Sequence, residues 1–577
     1  MFMRIKSCIV ALLGSAIGYS SADMFPTLID PNNPAKLAEP ISQPPAKSQK
    51  INLPAHSSSS KESSPGVTPQ TLVEVKHIQF VGGTQYPLDS LAAPFAPFIG
   101  KKVPVSSLLA ATDSITQRYH RDGFILSYAY IPTDNFEDGV LKIGLVEGYI
   151  SGTQIHSDNQ QVGRWLSKLS QHIMAEKPLT QDTFERYTLL MQRTPDTKIS
   201  ATAKTPDNIY GATTLNVDAT RPRNWNIATA VDTRKGDSSA VVNATLSGLS
   251  TYGEQLGIAT LIPLESDTRK TYAGLNYQQY LGDDGLLMQL KGSYYQQKDK
   301  DYNTILFLPN GITVGSQDKQ TQYNGGVVFS YPLQLARKKQ WTVSGGLDYL
   351  DKKYEYDLLA RLGDQKLQLP QVSQRIRYPA AELSLTGYRE YDQAYWNTTF
   401  NVRQGIDGLG ATNSTPNADL TFTRWKFNGD SAYLFDKKWR LSASVEGDWS
   451  DNDLPEPERV NFGALHYGRG YPDSDAQGDY GVGGQVEMRY IHSLEQGIWL
   501  KTIQPYAVVD AAHTGFNQQG LPKQNLSSYA IGVMFGDNRH YTLSVEAARP
   551  IGDAPLDSSS RDWRYNATFT YNFSAGS

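Results

Sequence analysis

The chain has 577 residues, a formal net charge of −4 and one cysteine. This near-neutral balance gives no electrostatic case for a nucleic-acid partner, and no run of ~20 apolar residues is present to cross a membrane as a helix. Hydrophobic residues make up 39% and aromatics 11%, with 34 tyrosines; such weak hydropathy suits strands that are apolar on one face, as in a transmembrane barrel or a large soluble β-protein.

Residues 1–22 have the form of a secretory signal peptide. Arg4 and Lys6 supply the charged start, Ile9 to Ile17 a short apolar core, and Ser20-Ser21-Ala22 a small-residue cleavage site before Asp23. Cys8 lies within this segment, so the expected mature chain carries no disulfide and no thiolate metal site. Residues 23–71 are rich in proline and serine, including the run Ser57 to Ser60. They bury too little apolar area to fold alone and are expected to act as a linker or a pore-threading segment.

A small α/β module is expected over 72–149. Val73 to Val81 alternates as a strand, and Leu88 to Ile99 has room for a short helix. Val105 to Arg121 follows Pro104 as a helix with Leu108, Leu109, Ile115 and Tyr119 near one face, and Gly123 ends it. Phe124 to Ile131 and Val140 to Glu147 form a hairpin pattern. A second module over 150–210 repeats the order. Tyr149 to His156 is its first strand, Val162 to Ile173 and Thr180 to Arg193 its helices, and Lys198 to Ala203 and Ala212 to Asp218 two more strands.

From 211 to 577 the period changes to segments of about ten residues with two unlike faces. Trp439, Leu441, Ala443, Val445, Gly447 and Trp449 alternate with Arg440, Ser442, Ser444, Glu446 and Asp448. An apolar face with an aromatic at each end describes a strand with lipid outside and water inside. Trp341 to Tyr349 and Leu286 to Tyr294 repeat the pattern. About sixteen such segments predict a mainly β protein, an antiparallel transmembrane β-barrel preceded by the two modules. The final segment, Trp563 to Phe573, is aromatic on one face and resembles the signal read by barrel-assembly machinery, with Ser574 to Ser577 following it.

Gly468-Arg469-Gly470-Tyr471 lies in a long connection, 450–478, between two such strands. Its glycines allow a tight fold-back, and an arginine carried into a barrel needs an acidic partner there. Asp510 faces inward by alternation with the lipid-facing Ala507, Val509 and Ala511, and Glu487 faces inward on its own strand.

These features together resemble the two-partner-secretion transporters, outer-membrane B components that export haemolysins, filamentous haemagglutinins or contact-dependent inhibition toxins. Tyr119-x-x-x-Gly123-Phe124 and Gly139-x-Leu141-x-Ile143-x-x-x-Glu147-Gly148 resemble the family's polypeptide-transport-associated (POTRA) domain. Gly468-Arg469-Gly470-Tyr471 resembles its Val-Arg-Gly-Tyr/Phe loop motif, with glycine in place of valine. Val508-Val509-Asp510-Ala511-Ala512 stands where the family's wall motif reads Phe-x-Asp-x-Gly. The resemblance implies a gating loop folded into the barrel with Arg469 paired to Asp510, Glu487 being a second possible partner. It also implies a plug helix at the N-terminus, for which the proline-broken lead leaves only 35–38. The implied partners are a large secreted exoprotein with an N-terminal secretion domain, captured by the POTRA domains, together with outer-membrane lipid and the barrel-assembly machinery. The protein is expected to be a monomer, with periplasmic POTRA domains and no cofactor. A contact-dependent inhibition toxin is the preferred client. An outer-membrane assembly factor would usually carry more POTRA domains, and a porin would carry none.

No enzyme is expected. Nine histidines show no metal spacing, Gly481-Val482-Gly483-Gly484 lies mid-strand rather than in a phosphate loop, and His466 and His513 lack a nucleophile beside them.

Overall fold

The computed structural model describes residues 68–573 except 133–136, 222, 234–237, 249, 266–267, 309–310, 415–417, 437, 465, 495–496, 498 and 559. The expected signal peptide, most of the Pro/Ser-rich segment with its plug helix, and the four residues after Phe573 lie outside the described residues. The described chain divides into two compact units, one ending at Arg221 and including Leu335–Arg337, the other formed by the rest.

In the first module Pro104 holds extended backbone, and the helix Val105–Arg121 starts directly after it. Leu108, Ala111, Ile115 and Tyr119 recur at helical spacing and are buried against Val75, Phe95, Leu141, Ile143 and Leu145. Gly123, at φ +93°, turns the chain out of the helix, its N–H donating to the His120 carbonyl at 3.1 Å. The single strand expected over 73–81 is two strands. Leu72–Val75 pairs antiparallel with Lys101–Pro104, and His77–Val81 runs parallel to Val140–Val146. The break falls at Lys76, whose N–H donates to the Gly139 carbonyl at 2.7 Å. Tyr128–Tyr130 completes the three-stranded sheet as the expected hairpin partner of Val140–Val146.

Glu147, at the end of that sheet, ties the module together. Its carboxylate accepts the Thr84 and Gln85 N–H groups at 2.7 and 2.9 Å, the Thr84 hydroxyl at 2.7 Å and the Tyr119 hydroxyl at 3.1 Å. Burial acts to raise this carboxyl, but the donors from Gln85, Thr84 and Tyr119 outweigh it and hold it below the usual range.

The second module repeats the plan. Tyr149–Ser157 runs parallel to Ala212–Thr220, which pairs antiparallel with Lys198–Ala203. Asn159 Oδ1 caps the helix Gln160–Ala175 by accepting the N–H groups of Gln161 and Val162 at 2.9 and 3.1 Å. Thr180 Oγ1 accepts the Thr183 N–H at the start of the helix Gln181–Gln192. Trp165, Leu166, Leu169, Leu190 and Val217 are fully buried. Because Ala212–Thr220 is the middle strand of this sheet, the boundary expected between 210 and 211 falls inside the module.

The second unit is a closed antiparallel barrel of sixteen strands among the described residues. Sequence-adjacent strands pair throughout, and the first, Trp225–Asp232, closes on the last, Arg564–Asn572, along the short register Asp232↔Thr568 to Ala228↔Asn572. Burial along its strands inverts that of a soluble protein. In Trp439–Trp449 the exposed side chains are Trp439, Ala443, Val445 and Trp449, while Arg440, Ser442, Glu446 and Asp448 are buried. Closure leaves no free edge, as a hydrocarbon environment requires. Two neighbouring strands, Ile312–Ala336 and Lys339–Leu362, have 25 and 24 residues, well beyond the ~9–11 that span a bilayer.

Two outcomes follow from these arrangements. Val445→Arg places a charge on the lipid face near mid-strand and should destabilise the barrel by about 2–4 kcal/mol, read by urea titration in phospholipid vesicles; a change within error would argue against lipid contact there. Glu147→Gln should weaken the first module by about 1 kcal/mol, the low end for a charged hydrogen-bonded group because the carboxylate is partly exposed. Since the carboxyl is lowered, its contribution is complete above the ordinary value of about 4.3 and is lost as pH falls through the folded value. Amide exchange at residues 84–85 of the full chain should therefore differ between wild type and variant at neutral pH and converge in acid.

Candidate functional site

The connection 450–478 does not stand away from the barrel. It turns inward and is held by two apolar clusters. Leu454 packs with Leu350, Ile376, Tyr378, Leu420 and Phe422. Val460, Phe462, Tyr467, Tyr471 and Ala476 pack with the wall residues Ala512 and Leu526. Within it Val460–Phe462 and Ala476–Gly478 pair as a small antiparallel ribbon. The returning bend places Ala464, Tyr467 and Ser474 at φ +51°, +56° and +60°, a backbone region costing of order 1 kcal/mol or more per non-glycine residue and kept only where packing enforces it.

Arg469 is buried at the end of this bend, its side chain 9% exposed. Its guanidinium pairs with Glu546 on the strand Tyr541–Pro550 and donates to Gln485 Oε1 at 3.4 Å. Asp510 on Thr502–Gly515 does face inward and touches the motif, but through the main chain: its Oδ2 accepts the Arg469 N–H at 3.1 Å. Its Oδ1 accepts the Ser528 hydroxyl at 2.5 Å, and Ser528 Oγ in turn accepts the Gly470 N–H at 3.0 Å. Tyr506 donates to Glu546 at 2.9 Å. The guanidinium partner expected at Asp510 is therefore Glu546. The other candidate, Glu487, is inward and buried as expected, yet it is held by Arg489 at 2.7 Å and Arg440 at 3.3 Å. The physical reason is reach. Alternation fixes which carboxylates face the lumen, but the one a loop arginine meets depends on how far the loop crosses it.

The glycines of the motif are fixed by crowding. A Cβ on Gly470 would come within 2.5 Å of the Pro550 nitrogen and 2.6 Å of the Arg549 carbonyl carbon, and one on Gly468 within 2.9 Å of the Gly463 Cα. Tyr471, 2% exposed, donates its hydroxyl to the Asp553 carbonyl at 3.0 Å and accepts the Ser527 N–H at 3.2 Å. The motif thus threads between the barrel wall and the 551–563 connection.

Sequence reasoning missed a second charged contact. Pro455 precedes a short 3₁₀ turn, Glu456–Glu458, and Pro457 lies within it. Glu458 accepts Arg403 Nε at 2.9 Å, Arg424 Nη1 at 3.4 Å and the Tyr378 hydroxyl at 2.9 Å, while Glu456 accepts Lys352 Nζ at 2.6 Å and the Tyr354 hydroxyl. The available signal was the inward parity of Lys352, Arg403 and Arg424 on their strands. Of the two histidines, His466 meets Glu446 at 3.1 Å and His513 meets Asn525 at 2.7 Å near the exposed rim.

Loss of the Arg469 guanidinium would leave Glu546 buried without its counter-charge, a cost of about 3–5 kcal/mol. Gly470→Ala should expose the loop without removing that pair. Cells carrying it should show cleavage within 450–478 by an added protease, whereas Gly447→Ala, whose Cβ would meet nothing within 4 Å, should stay protected; equal protection of both would remove the steric argument.

Comparison with known proteins agrees with this architecture. A POTRA domain model of ShlB type matches residues 73–148, and the model for haemolysin secretion/activation protein ShlB/FhaC/HecB matches 362–535. The heme/hemopexin transporter protein HuxB of Haemophilus influenzae is 18% identical over 478 residues, covering 80% of each chain. Among solved structures, CdiB from Escherichia coli superposes with a TM-score of 0.64 at 17% identity, covering 89% of this chain and 93% of that one. CdiB from Acinetobacter baumannii gives 0.57 at 15% identity, covering 88% and 91%. These likenesses show the fold, and the family models fall on the first α/β module and on the part of the barrel that carries the inward loop. Together the two family models and the two CdiB likenesses indicate a two-partner-secretion transporter.

Proposed function

We propose that this protein captures one large unfolded exoprotein in the periplasm through its two α/β modules and passes it through the barrel to the cell surface, with 450–478 acting as the gate. The observation that carries the reading is the gate's construction: a loop seated in the lumen by a buried ion pair, Arg469 with Glu546, in a barrel preceded by a POTRA domain. With the modules periplasmic, Trp225–Asp232 enters the membrane from that side, and the connection 450–478 joins the outer ends of its two strands. The exposed edges of the modules' sheets suit an extended client that adds a strand by main-chain pairing. No nucleotide drives such a step, so folding of the client outside the cell would bias its direction. The protein would act as a monomer, reach its membrane through barrel-assembly machinery and contact outer-membrane lipid. The client is a toxin, adhesin or haemolysin, and a contact-dependent inhibition toxin is preferred. The likeness to a heme/hemopexin transporter protein adds heme or hemopexin handling to that choice. The residues expected to work are Arg469 with its flanking Gly468, Gly470 and Tyr471, and Asp510, Glu487 and Glu546 on the wall. Their role is to hold the gate, not to perform chemistry, and no enzymatic activity is proposed.

The test compares the surface and culture-fluid proteins of cells with and without this gene. Loss of one very large exoprotein is expected, restored by wild type and reduced at least tenfold with Arg469→Ala at equal barrel abundance. A broad fall in many outer-membrane barrels would instead indicate assembly, and unchanged export by Arg469→Ala would remove the arginine from the gate.

A further inference from the structure

Two sets of buried charges hold the loop, and they differ in how they balance. Around the Arg469 end, the wall carboxylates Glu546, Asp510 and Glu487 face two wall cations, Arg440 and Arg489. The wall alone is one positive charge short, and the loop supplies it. Around Glu456 and Glu458 the ledger is different. The wall cations Lys352, Arg403, Arg424 and Lys426 face the wall carboxylates Asp348, Glu382, Glu446 and Asp448, joined by Arg403–Asp348 at 2.6 Å, Arg403–Glu382 at 3.3 Å, Arg424–Asp448 at 3.7 Å and Lys426–Glu446 at 2.7 Å. The numbers are equal before the loop contributes anything, and Arg403, Arg424 and Lys426 each hold a wall carboxylate, whereas Lys352 is bridged to the loop's Glu456.

We infer that Glu456 and Glu458 are positioning residues that form a second, releasable anchor of the in-folded loop, so that the gate opens from its first half while Arg469 still holds its second. Withdrawing Glu456 and Glu458 leaves Arg403 with Asp348 and Glu382 and Arg424 with Asp448, so the wall keeps equal numbers of both signs and Lys352 is the cation that gives up its bridge. Withdrawing Arg469 strands Glu546. The two halves also rest in separate apolar clusters, Leu454 in one and Phe462, Tyr467 and Tyr471 in the other. Each can therefore move without dismantling the packing of its partner. Pro455 and Pro457 hold the short turn rigid, so Glu456 and Glu458 enter and leave their sites together. The release bares Lys352, Arg403 and Arg424 on one side of the lumen, on the strands Lys339–Leu362, Ala394–Gly405 and Thr423–Phe435.

This inference rests on the gating role assigned to 450–478, and its test reads loop position apart from export. In a Cys8→Ser background, Leu454→Cys and Ala476→Cys, both fully buried positions, report the two halves by their labelling rate with a membrane-impermeant maleimide on intact cells. The residue 454 reporter should label faster than the residue 476 reporter. Glu458→Gln should speed the first at least tenfold and change the second less than twofold, and Arg469→Ala should speed the second. Equal acceleration of both reporters by Glu458→Gln, or of neither, would overturn the inference. Should Glu458→Gln lower the amount of heat-modifiable barrel, Lys352→Glu provides the second measurement: it should speed residue 454 labelling, and adding Glu456→Lys should restore protection. Failure of that exchange to restore protection also counts against the anchor. Export assayed on the same strains separates the two ideas, since selective labelling with unimpaired export in every variant would overturn the gate and leave the anchor standing.

Discussion

A charge brought into a walled lumen must find its opposite, and the architecture of the barrel interior follows from that requirement. The strands put apolar side chains toward lipid, which forces the polar half of each strand inward, where Arg403, Glu446, Asp448, Glu487 and Asp510 are nearly inaccessible to water. Such a lumen cannot be sealed by apolar packing alone. The inward segment 450–478 meets this wall with charges of its own: a guanidinium that supplies the missing positive charge at Glu546, and carboxylates that add to a part of the wall already holding equal numbers of both signs. The apolar clusters then give the segment a defined path between these points. A neutral loop of the same length would leave Glu546 and its neighbours uncompensated.

The same requirement explains which parts of the protein could be read from its residues. Period-two alternation with aromatic ends depends only on local geometry, so the barrel, the inward direction of Asp510 and the glycine–arginine motif were legible. The helix Val105–Arg121 was legible because Pro104 and Gly123 mark both ends with backbone chemistry rather than with packing. Glu546 was not, because its strand lies well beyond Asp510 in the chain and only the depth of the fold-back brings Arg469 to it. Glu456 and Glu458 carry no local signal, since nothing in the sequence distinguishes an acidic pair around a proline in water from one facing arginines across a lumen. Lys76 interrupts 72–81 without disturbing its alternation, so two strands looked like one. Ala212–Thr220 shares its period with the barrel strands, which moved the domain boundary.

The family likeness and the details of this chain bear on different levels. At 15–18% identity the relatives share the fold plan, and a fold plan alone leaves open how an inward loop is fastened. The substitutions in the motifs are local adjustments. Gly468 sits where a Cβ would press on Gly463, and Ala512 fills space against the loop where the family pattern has glycine. Each alters a contact between loop and wall while leaving the backbone hydrogen bonds from Arg469 and Gly470 to Asp510 and Ser528 in place.

The closing seam has a consequence for how the molecule comes into being. Every other barrel strand pairs with a neighbour reached through a local turn or loop, so its contacts form at small sequence separation. The first and last strands are joined by residues more than 300 positions apart, such as Asp232 and Thr568, along only a short register. Nearly all the loop-closure entropy of the barrel is therefore concentrated in one weak ladder. The hairpins can zip progressively, but an open sheet with two unpaired edges in hydrocarbon is strongly disfavoured until that ladder forms. The ladder on which closure depends, 228–232 with 568–572, lies one strand away from Glu546, which pairs with Asn566, so the seam and the carboxylate that meets Arg469 share the last strand.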